Sequence, residues 1–250
     1  MTDRKNLESL ISLFDERRFD IETHMRNVAR HVGENPALTK ANPPIVHSYK
    51  MRLKDRQHLR DKLVRKIAEG RSISAENFFD CITDLAGVRV LHLFQRDFTK
   101  IDEVVRQKVS DGDWFLAERA KAYTWDPEAI SYFGKFDLDV IPKNSYTSVH
   151  YLIQTPQANS RVTCELQVRT LFEEIWGEVD HRINYPIPTN NIACREQLQV
   201  LSKITGAGSR LLDSIQRVST DAFDLSVPTD EAPKRPGVRS WLSKAISGRK

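Results

Sequence analysis

Two carboxylates are the residues whose type and position in this chain most favour catalytic chemistry. Asp84 stands just before an apolar segment that predicts a buried strand, and Glu165 lies in a second predicted strand. If the fold brings them together, their oxygens are the hard ligands that Mg²⁺ prefers, so the pair would form a magnesium site. A single aspartate before a strand is also typical of a turn, and the sequence leaves both interpretations of Asp84 open.

Glu165 belongs to a stretch in which polar and apolar residues alternate. In the run CELQVRT the apolar positions are Leu166 and Val168, and this period of two predicts a strand with one polar face. The polar positions are Glu165, Gln167 and Arg169. The alternative is an edge strand whose polar side faces bulk water.

The period becomes helical directly after this strand. An apolar stripe predicts the buried side of a helix, with the charged residues roughly opposite. The stripe comprises Phe172, Ile175, Trp176, Val179 and Ile183, and the opposite positions are Glu174, Glu178 and His181. Strand and helix together would bring a carboxylate, an amide and a guanidinium to one edge of a sheet.

Residues 45–66 form the strongest charge feature, with eight basic residues against two acidic ones. Arg52 and Lys54 alternate in an extended approach to a helix that is expected to begin near Asp55. The basic face of this helix would carry His58, Lys62 and Arg65, and its buried face Leu59, Leu63 and Ile67. Such an array suits a polyphosphate, while a solvated basic face and an RNA backbone site remain alternatives.

Two further residues stand out by their surroundings. Arg89 lies inside an otherwise apolar strand and therefore needs an anionic partner or a ligand. Tyr146 stands at the entrance to a strand predicted within residues 143–155, beside the turn-forming Asn144 and Ser145. An aromatic ring in this place can stack on a nucleotide base, or it can simply pack against its neighbours.

The composition is that of a globular protein without a strong charge bias. The 250 residues contain 38 Lys and Arg against 34 Asp and Glu, so a net charge of +4 does not by itself imply nucleic-acid binding. Three widely separated cysteines suit free thiols in a reducing compartment. The sequence predicts neither a signal peptide nor a membrane span, and a cytoplasmic location is expected.

Four motifs in this order resemble the synthetase domain of the RelA/SpoT family, in particular the small alarmone synthetases. They are RLKDRQHLRDKLVRK, DLAGVRV, KNSYTSVHY and ELQVRT followed by WGEVDH, within about residues 48–185. The resemblance implies an α+β fold, with a nucleotidyltransferase-like mixed β-sheet flanked by helices and extra N- and C-terminal helices. It also implies transfer of the β,γ-pyrophosphate of ATP to the 3′-hydroxyl of GDP or GTP, giving (p)ppGpp and AMP.

The resemblance assigns roles to individual residues. Asp84 and Glu165 would be the catalytic pair that holds Mg²⁺, with Glu165 also taking the proton from the attacking hydroxyl. The residues implied for the ATP phosphates and adenine are Arg52, Lys54, Lys62, Arg65 and Arg89. Those implied for the acceptor nucleotide are Tyr146, which would stack on guanine, and Lys143, His150, Gln167 and Arg169.

One departure from the family pattern concerns the turn that leads into Tyr146, which we call the acceptor loop. The family has a glycine directly before the tyrosine, and this chain has Ser145. Glycine adopts positive φ values readily and serine does so less readily. The substitution leaves the two metal carboxylates intact, so activity is expected to survive.

The chain is expected to divide into four parts. They are an N-terminal helical region (1–44), the synthetase domain (45–190), C-terminal helices (191–220) interrupted at Gly206 and Gly208, and a disordered basic tail (221–250). Expected partners are ATP and GDP or GTP, with a homo-oligomer as a further option. Two alternatives stay open: pyrophosphate transfer to the 3′ end of tRNA, as in toxin-type relatives, and an inactive nucleotide-binding regulator.

Overall fold

The computed structural model of the protein describes residues 2–155, 162–185 and 187–224. The chain separates into two compact units, Met1–Asp213 and Ser214–Lys250. Most of the predicted tail, from residue 225 onward, lies outside the described residues. Within the described ranges, no helix has both the length and the apolar character that crossing a lipid bilayer requires.

A mixed sheet of seven strands forms the centre of the first unit. The strands are β1 (Val46–Leu53), β2 (Ala86–His92), β3 (Phe115–Leu116), β4 (Lys121–Thr124), β5 (Asp139–Pro142), β6 (Ser148–Gln154) and β7 (Thr163–Thr170). Their order is β1-β2-β7-β6-β4-β5, and β3 pairs with β6. The pairs β2/β7 and β4/β5 are parallel and the other pairs are antiparallel.

Helices flank this sheet, as the expected α+β fold requires. They are α1 (Thr2–Glu16), α2 (Arg18–Gly33), α3 (Pro36–Thr39), α4 (Arg56–Ala68), α5 (Phe78–Cys81), α6 (Phe98–Ser110), α7 (Pro127–Phe133), α8 (Leu171–Asn184) and α9 (Ile192–Asp224). The extra helices predicted at both ends of the domain are therefore present. Helix α2 packs against β1, β2 and β7, and its apolar side chains join those of the strands in one core.

The helix predicted near Asp55 is confirmed as α4. The Asp55 side chain caps it by accepting a hydrogen bond of 2.9 Å from the backbone N–H of His58. Leu59 and Leu63 are completely buried, whereas Ile67 is only half-buried. The apolar stripe thus anchors α4 and leaves its basic face available.

The orientation predicted for α8 was partly wrong. Trp176 is buried as expected, but Ile175 is 54% exposed and Glu174 is only 6% exposed. Thr170, the last residue of β7, caps α8 by accepting a hydrogen bond from the N–H of Glu173. The first turn of α8 therefore lies close to the polar side of β7, where basic side chains can compensate a buried carboxylate.

The interruption predicted at Gly206 and Gly208 was also wrong, because α9 continues through both residues. A Cβ atom added at Gly208 would lie 2.8 Å from the ring of Phe172, and one added at Gly206 would lie 3.1 Å from the ring of Trp125. These glycines therefore allow aromatic side chains to approach the helix closely.

The substitution Gly208→Ala tests this packing. It is expected to lower the free energy of unfolding by about 1–2 kcal/mol, because overlap with Phe172 outweighs the better helix propensity of alanine. Urea unfolding measures the change. In a Phe172→Leu background, Gly208→Ala should lower the free energy of unfolding by a smaller amount. A stabilised Gly208→Ala protein would contradict the close approach of Phe172 to the helix.

Candidate active site

Strand register places polar side chains in two rows on one face of the sheet. Across β1, β2, β7 and β6, the first row is Lys50, Arg89, Gln167 and His150. The second row, across β1, β2 and β7, is Arg52, Gly87 and Glu165. Side chains of paired residues share a face, so the register alone brings these groups together.

Asp84 lies just before β2 and is held by two lysines. Its Oδ2 is 2.9 Å from Nζ of Lys54, and its Oδ1 is 2.6 Å from Nζ of Lys62. Burial raises the pKa of the Asp84 carboxyl, but the two ammonium groups lower it more, and the net pKa is below its usual value. Asp84 is therefore ionised at neutral pH, and Lys54, only 7% exposed, is its buried partner.

Glu165 belongs to a hydrogen-bonded chain of three side chains. Its Oε1 lies 2.8 Å from Nδ1 of His150, and Nε2 of His150 lies 2.9 Å from the hydroxyl of Tyr146. Burial raises the pKa of the Glu165 carboxyl, but the contact with His150 outweighs it, and the net pKa is below its usual value. The chain links an ionised carboxylate to the aromatic residue predicted for the acceptor.

A third carboxylate, Glu174, lies among three cations. Its Oε1 is 2.8 Å from Nζ of Lys50 and 3.0 Å from Nη1 of Arg89, and its Oε2 is 3.4 Å from Nε of Arg169. Burial raises the pKa of this carboxyl, but these cations outweigh it and the net pKa is lowered. Glu174 is thus the anionic partner that Arg89 was predicted to need.

Arg169 connects this cluster to Tyr146. It is 5% exposed, its Nη2 donates a hydrogen bond of 2.9 Å to Gln167, and its guanidinium carbon lies 5.7 Å from the centre of the Tyr146 ring. Burial lowers the pKa of Arg169. A Cβ atom at Gly177 of α8 would lie 2.5 Å from Nη1 of Arg169, so this glycine makes room for the guanidinium.

Two adjoining cavities open on this face of the sheet. The smaller one, ≈ 230 Å³, is bordered by Asp84, Lys50 and Lys54, among others. The larger one, ≈ 830 Å³, is bordered by Tyr146 and Trp176, among others. The side chains common to both are Arg52, Arg89, Glu165 and Gln167. The sheet therefore brings predicted donor and acceptor residues to neighbouring spaces with a shared wall.

Three of the predicted basic residues occupy different surroundings. Lys143 borders the larger cavity, with its Nζ 5.6 Å from the ring centre of Tyr123. Arg52 borders both cavities and makes no ion pair with any carboxylate in the described part of the chain. The side chain of Arg65 is 69% exposed, lies 4.0 Å from Glu69 and borders neither cavity, so its role at ATP stays a prediction.

Ser145 adopts the backbone conformation that the family glycine would favour. Its φ is +61°, the only positive φ among the described residues other than glycine. Serine pays a steric cost in this region that glycine avoids. The acceptor loop is therefore held against a local backbone preference.

The donor set of the two predicted carboxylates fits Mg²⁺. Asp84 and Glu165 border the same cavity, and apart from its ion pair with Lys62 the buried Oδ1 of Asp84 has no hydrogen-bond partner among the described residues. In those residues, no cluster of three or more His, Cys, Asp or Glu side chains could form a metal cage. Mg²⁺ commonly takes one or two carboxylates and completes its shell with water and substrate phosphates, so a two-carboxylate site is sufficient.

Sequence reasoning missed two residues of this site. Glu174 was assigned to the exposed face of α8, and nothing in the local pattern distinguishes it from its exposed neighbours. Gly177 lies in the middle of a helical pattern, where a glycine is itself a signal of close packing. Its partner, Arg169, could only be identified from the fold.

Residues 51–190 match the family described as the region found in RelA and SpoT proteins. The chain belongs to the RelA/SpoT family. The matched region contains Asp84, Glu165 and Tyr146, and it begins within β1. The resemblance drawn from the sequence motifs is therefore confirmed.

A curated relative is similar to a large part of this RelA/SpoT chain. GTP pyrophosphokinase YwaC of Bacillus subtilis (strain 168) is 27% identical over 160 residues. The alignment covers 62% of this chain and 66% of that protein, slightly less than two thirds of its length.

Solved structures have the same fold. A GTP pyrophosphokinase family protein from Streptococcus pneumoniae matches with a TM-score of 0.60 and 15% identity, over 87% of this chain and 97% of that one. Small alarmone synthetase 1 from Bacillus subtilis, bound to its product pppGpp, matches with a TM-score of 0.55 and 18% identity, over 84% and 95% of the two chains. The same synthetase bound to AMPCPP has a TM-score of 0.54 and 17% identity, over 87% and 99%.

The strain at Ser145 gives a testable prediction for the acceptor loop. Ser145→Gly is expected to raise the free energy of unfolding by about 0.5–1 kcal/mol, because relief of the positive φ exceeds the extra entropy of glycine in the unfolded chain. Ser145→Ala keeps the unfavourable φ and is the matched control, which should not be stabilised. Denaturant unfolding of both variants measures the change in the free energy of unfolding. A destabilised Ser145→Gly protein would mean that the serine side chain contributes more stability than its positive φ removes.

Proposed function

We propose that this chain transfers the β,γ-pyrophosphate of ATP to the 3′-hydroxyl of GDP or GTP, forming (p)ppGpp and AMP. The observation that carries the proposal is the pair of adjoining cavities that share Glu165. One is bordered by cations and Asp84, and the other by Tyr146 and its hydrogen-bonded partner His150. RelA/SpoT membership and the fold shared with a synthetase solved with pppGpp and with AMPCPP support the same reaction.

The smaller cavity suits the triphosphate of ATP. Arg52, Lys54 and Arg89 border it, and Lys62 approaches it through Asp84. Cations at fixed positions stabilise the charge that develops and moves during transfer of a phosphoryl group. Arg52, which forms no ion pair with the described residues, is the cation most available for an incoming phosphate.

The larger cavity suits the acceptor nucleotide. Tyr146 offers an aromatic ring of the kind on which a base stacks, and Lys143 and Arg169 add positive charge nearby. His150 orients Glu165 through the contact between Nδ1 and Oε1. A carboxylate held in this way can accept the proton of a 3′-hydroxyl that lies between the two cavities.

Asp84 and Glu165 are the groups that would hold Mg²⁺. When bound there with the nucleotide, the ion would neutralise phosphate charge and favour ionisation of the attacking hydroxyl. Both carboxylates have lowered pKa values and are ionised at neutral pH, as metal ligands must be. Lys54 and Lys62 neutralise Asp84 in the free protein and lie within reach of a phosphate bound at the same carboxylate.

The transfer is proposed to be direct, without a covalent enzyme intermediate. Cys164 is fully buried, and burial raises the pKa of its thiol well above the usual value, which excludes a reactive thiolate near neutral pH. Cys81 and Cys194 border neither of the two cavities. Since none of the three cysteines is suited to the attack, the 3′-hydroxyl of the acceptor is the proposed nucleophile.

The reaction is tested with γ-labelled ATP, Mg²⁺ and, in separate assays, GDP, GTP or tRNA. Label is expected on GDP or GTP, with one AMP formed for each labelled acceptor, because pyrophosphate and not phosphate is transferred. Formation of ADP in step with labelling would identify an ordinary kinase. Labelled tRNA with unlabelled GDP and GTP would assign the chain to tRNA modification, and nucleotide binding without transfer would make it a regulator.

The metal carboxylates are tested with Asp84→Asn and Glu165→Gln. Each variant removes a ligand charge and nearly preserves side-chain shape, so turnover should fall by about 10²–10³-fold or more. Asp61→Asn is the control, because Asp61 is exposed and, among the described residues, its side chain bonds only Gln57. Thermal unfolding checks that the proteins remain folded, and a Mg²⁺-dependent rate near that of the wild type in either variant would place the metal elsewhere.

A further inference from the structure

We propose that Glu174 is a positioning residue that ties the cations of the smaller cavity to the aromatic wall of the larger one. The proposal rests on the pyrophosphate transfer proposed above and deepens it. Glu174 borders neither cavity, so it would touch neither substrate. It acts through Arg89, which borders both cavities, and through Arg169, which lies beside Tyr146.

Burial puts Glu174 behind the cations that it contacts. The exposed fraction of its side chain is 7%, against 30% for Arg89 and 55% for Lys50. A carboxylate that is more buried than its partners contacts them on the side that faces the protein interior. The outer sides of both cations remain open to an anionic ligand in the cavity.

The hydrogen bonds of Arg89 leave one of its nitrogens free. Nη1 donates to both oxygens of Glu174 at 3.0 and 3.1 Å, and Nε donates to Gln167 at 3.3 Å. In the described part of the chain, no hydrogen bond involves Nη2. Nη1 also donates a longer bond of 3.4 Å to the exposed Glu178. The guanidinium plane is therefore fixed chiefly by Glu174 and Gln167, while the third nitrogen can meet a phosphate oxygen.

Arg169 depends on Glu174 for charge compensation. Its side chain is 4% exposed, and a buried cation without an anionic partner is strongly destabilising. Oε2 of Glu174 lies 3.4 Å from its Nε, an atom that makes no hydrogen bond with the described residues. Loss of this charge would leave Arg169 with its hydrogen bond to Gln167 but without this ion pair, and would loosen the guanidinium beside the Tyr146 ring.

Glu178 provides a natural contrast one helical turn along α8. It also lies 3.4 Å from both Lys50 and Arg89, but its side chain is 51% exposed. Ion pairs this open to solvent contribute little, because water and salt screen them. Two carboxylates thus approach the same cations, and only the buried one can fix their positions.

The proposal is tested by steady-state kinetics of Glu174→Gln with ATP and GDP. The kcat is expected to fall about 10–100-fold, the scale of a misplaced reacting group. The KM for GDP should rise several-fold as support for Tyr146 is lost. The KM for ATP should not rise, because removal of a negative charge leaves the smaller cavity more positive.

Two matched variants separate positioning from general damage. Glu174→Asp keeps the charge but shortens the side chain, so it should recover part, but not all, of the lost kcat. Glu178 borders the larger cavity, but its ion pairs are exposed, so Glu178→Gln should lose much less kcat than Glu174→Gln. Equal losses in Glu174→Gln and Glu178→Gln would overturn the proposal. If Glu174→Gln does not fold, Glu174→Asp decides: an altered kcat with a normal melting temperature supports positioning, and wild-type kinetics overturn it.

A double-variant cycle tests whether Glu174 acts through Arg89. In the double variant Glu174→Gln/Arg89→Gln, the fold-loss in kcat should be much smaller than the product of the fold-losses of the two single variants. A double variant whose loss equals that product would overturn the proposal. Calorimetric titration with AMPCPP should show that Glu174→Gln still binds the donor analogue. An active wild type with an unimpaired Glu174→Gln defeats this inference alone, whereas an inactive wild type defeats the proposed function.

Discussion

The parallel pairing of β2 with β7 is the constraint on which the site depends. Both strands lie inside the sheet, and their apolar residues fill the core, so their polar residues must share the other face. Arg89 is thereby set beside Gln167, and Glu165 beside the small Gly87. Because α8 begins directly at the end of β7, its first turn lies against this polar face, and the buried Glu174 is the result.

Charge compensation then decides how the polar face is arranged. Asp84 is neutralised by Lys54 and Lys62, and Glu174 by Lys50, Arg89 and Arg169. Each buried charge has a partner, which limits the cost of desolvation. The two ion-pair groups are separate, one at the entrance of β2 and one under α8, and Glu165 lies between them with a hydrogen bond to His150. Asp84, Glu165 and Glu174 therefore each have their own basic partners.

Local signals in the sequence predicted the parts of this arrangement that local physics determines. The alternation around Glu165 predicted β7, Asp55 predicted the start of α4, and the family motifs predicted the mixed sheet. The burial of Glu174 could not be predicted, because it depends on cations from β1 and β2, far away in sequence. Nor could the close approach of aromatic side chains to the glycines of α9, because Phe172 and Trp125 lie outside the helix. Local patterns define elements, and tertiary partners decide which side of each element is buried.

The cleft has more cations than its carboxylates can neutralise, and this excess bears on how it would receive a nucleotide. Arg52 has no carboxylate partner among the described residues, and burial lowers the pKa values of Lys54 and Arg169, as expected of cations that lack full compensation. In the proposed reaction, a nucleotide bound with Mg²⁺ would bring both a cation for Asp84 and phosphates for Lys54 and Lys62. Each lysine can then exchange a carboxylate for a phosphate oxygen without leaving any charge unpaired. Binding of this kind would replace ion pairs rather than break them, so the ion pairs that stabilise the cleft would not prevent it from binding a highly charged substrate.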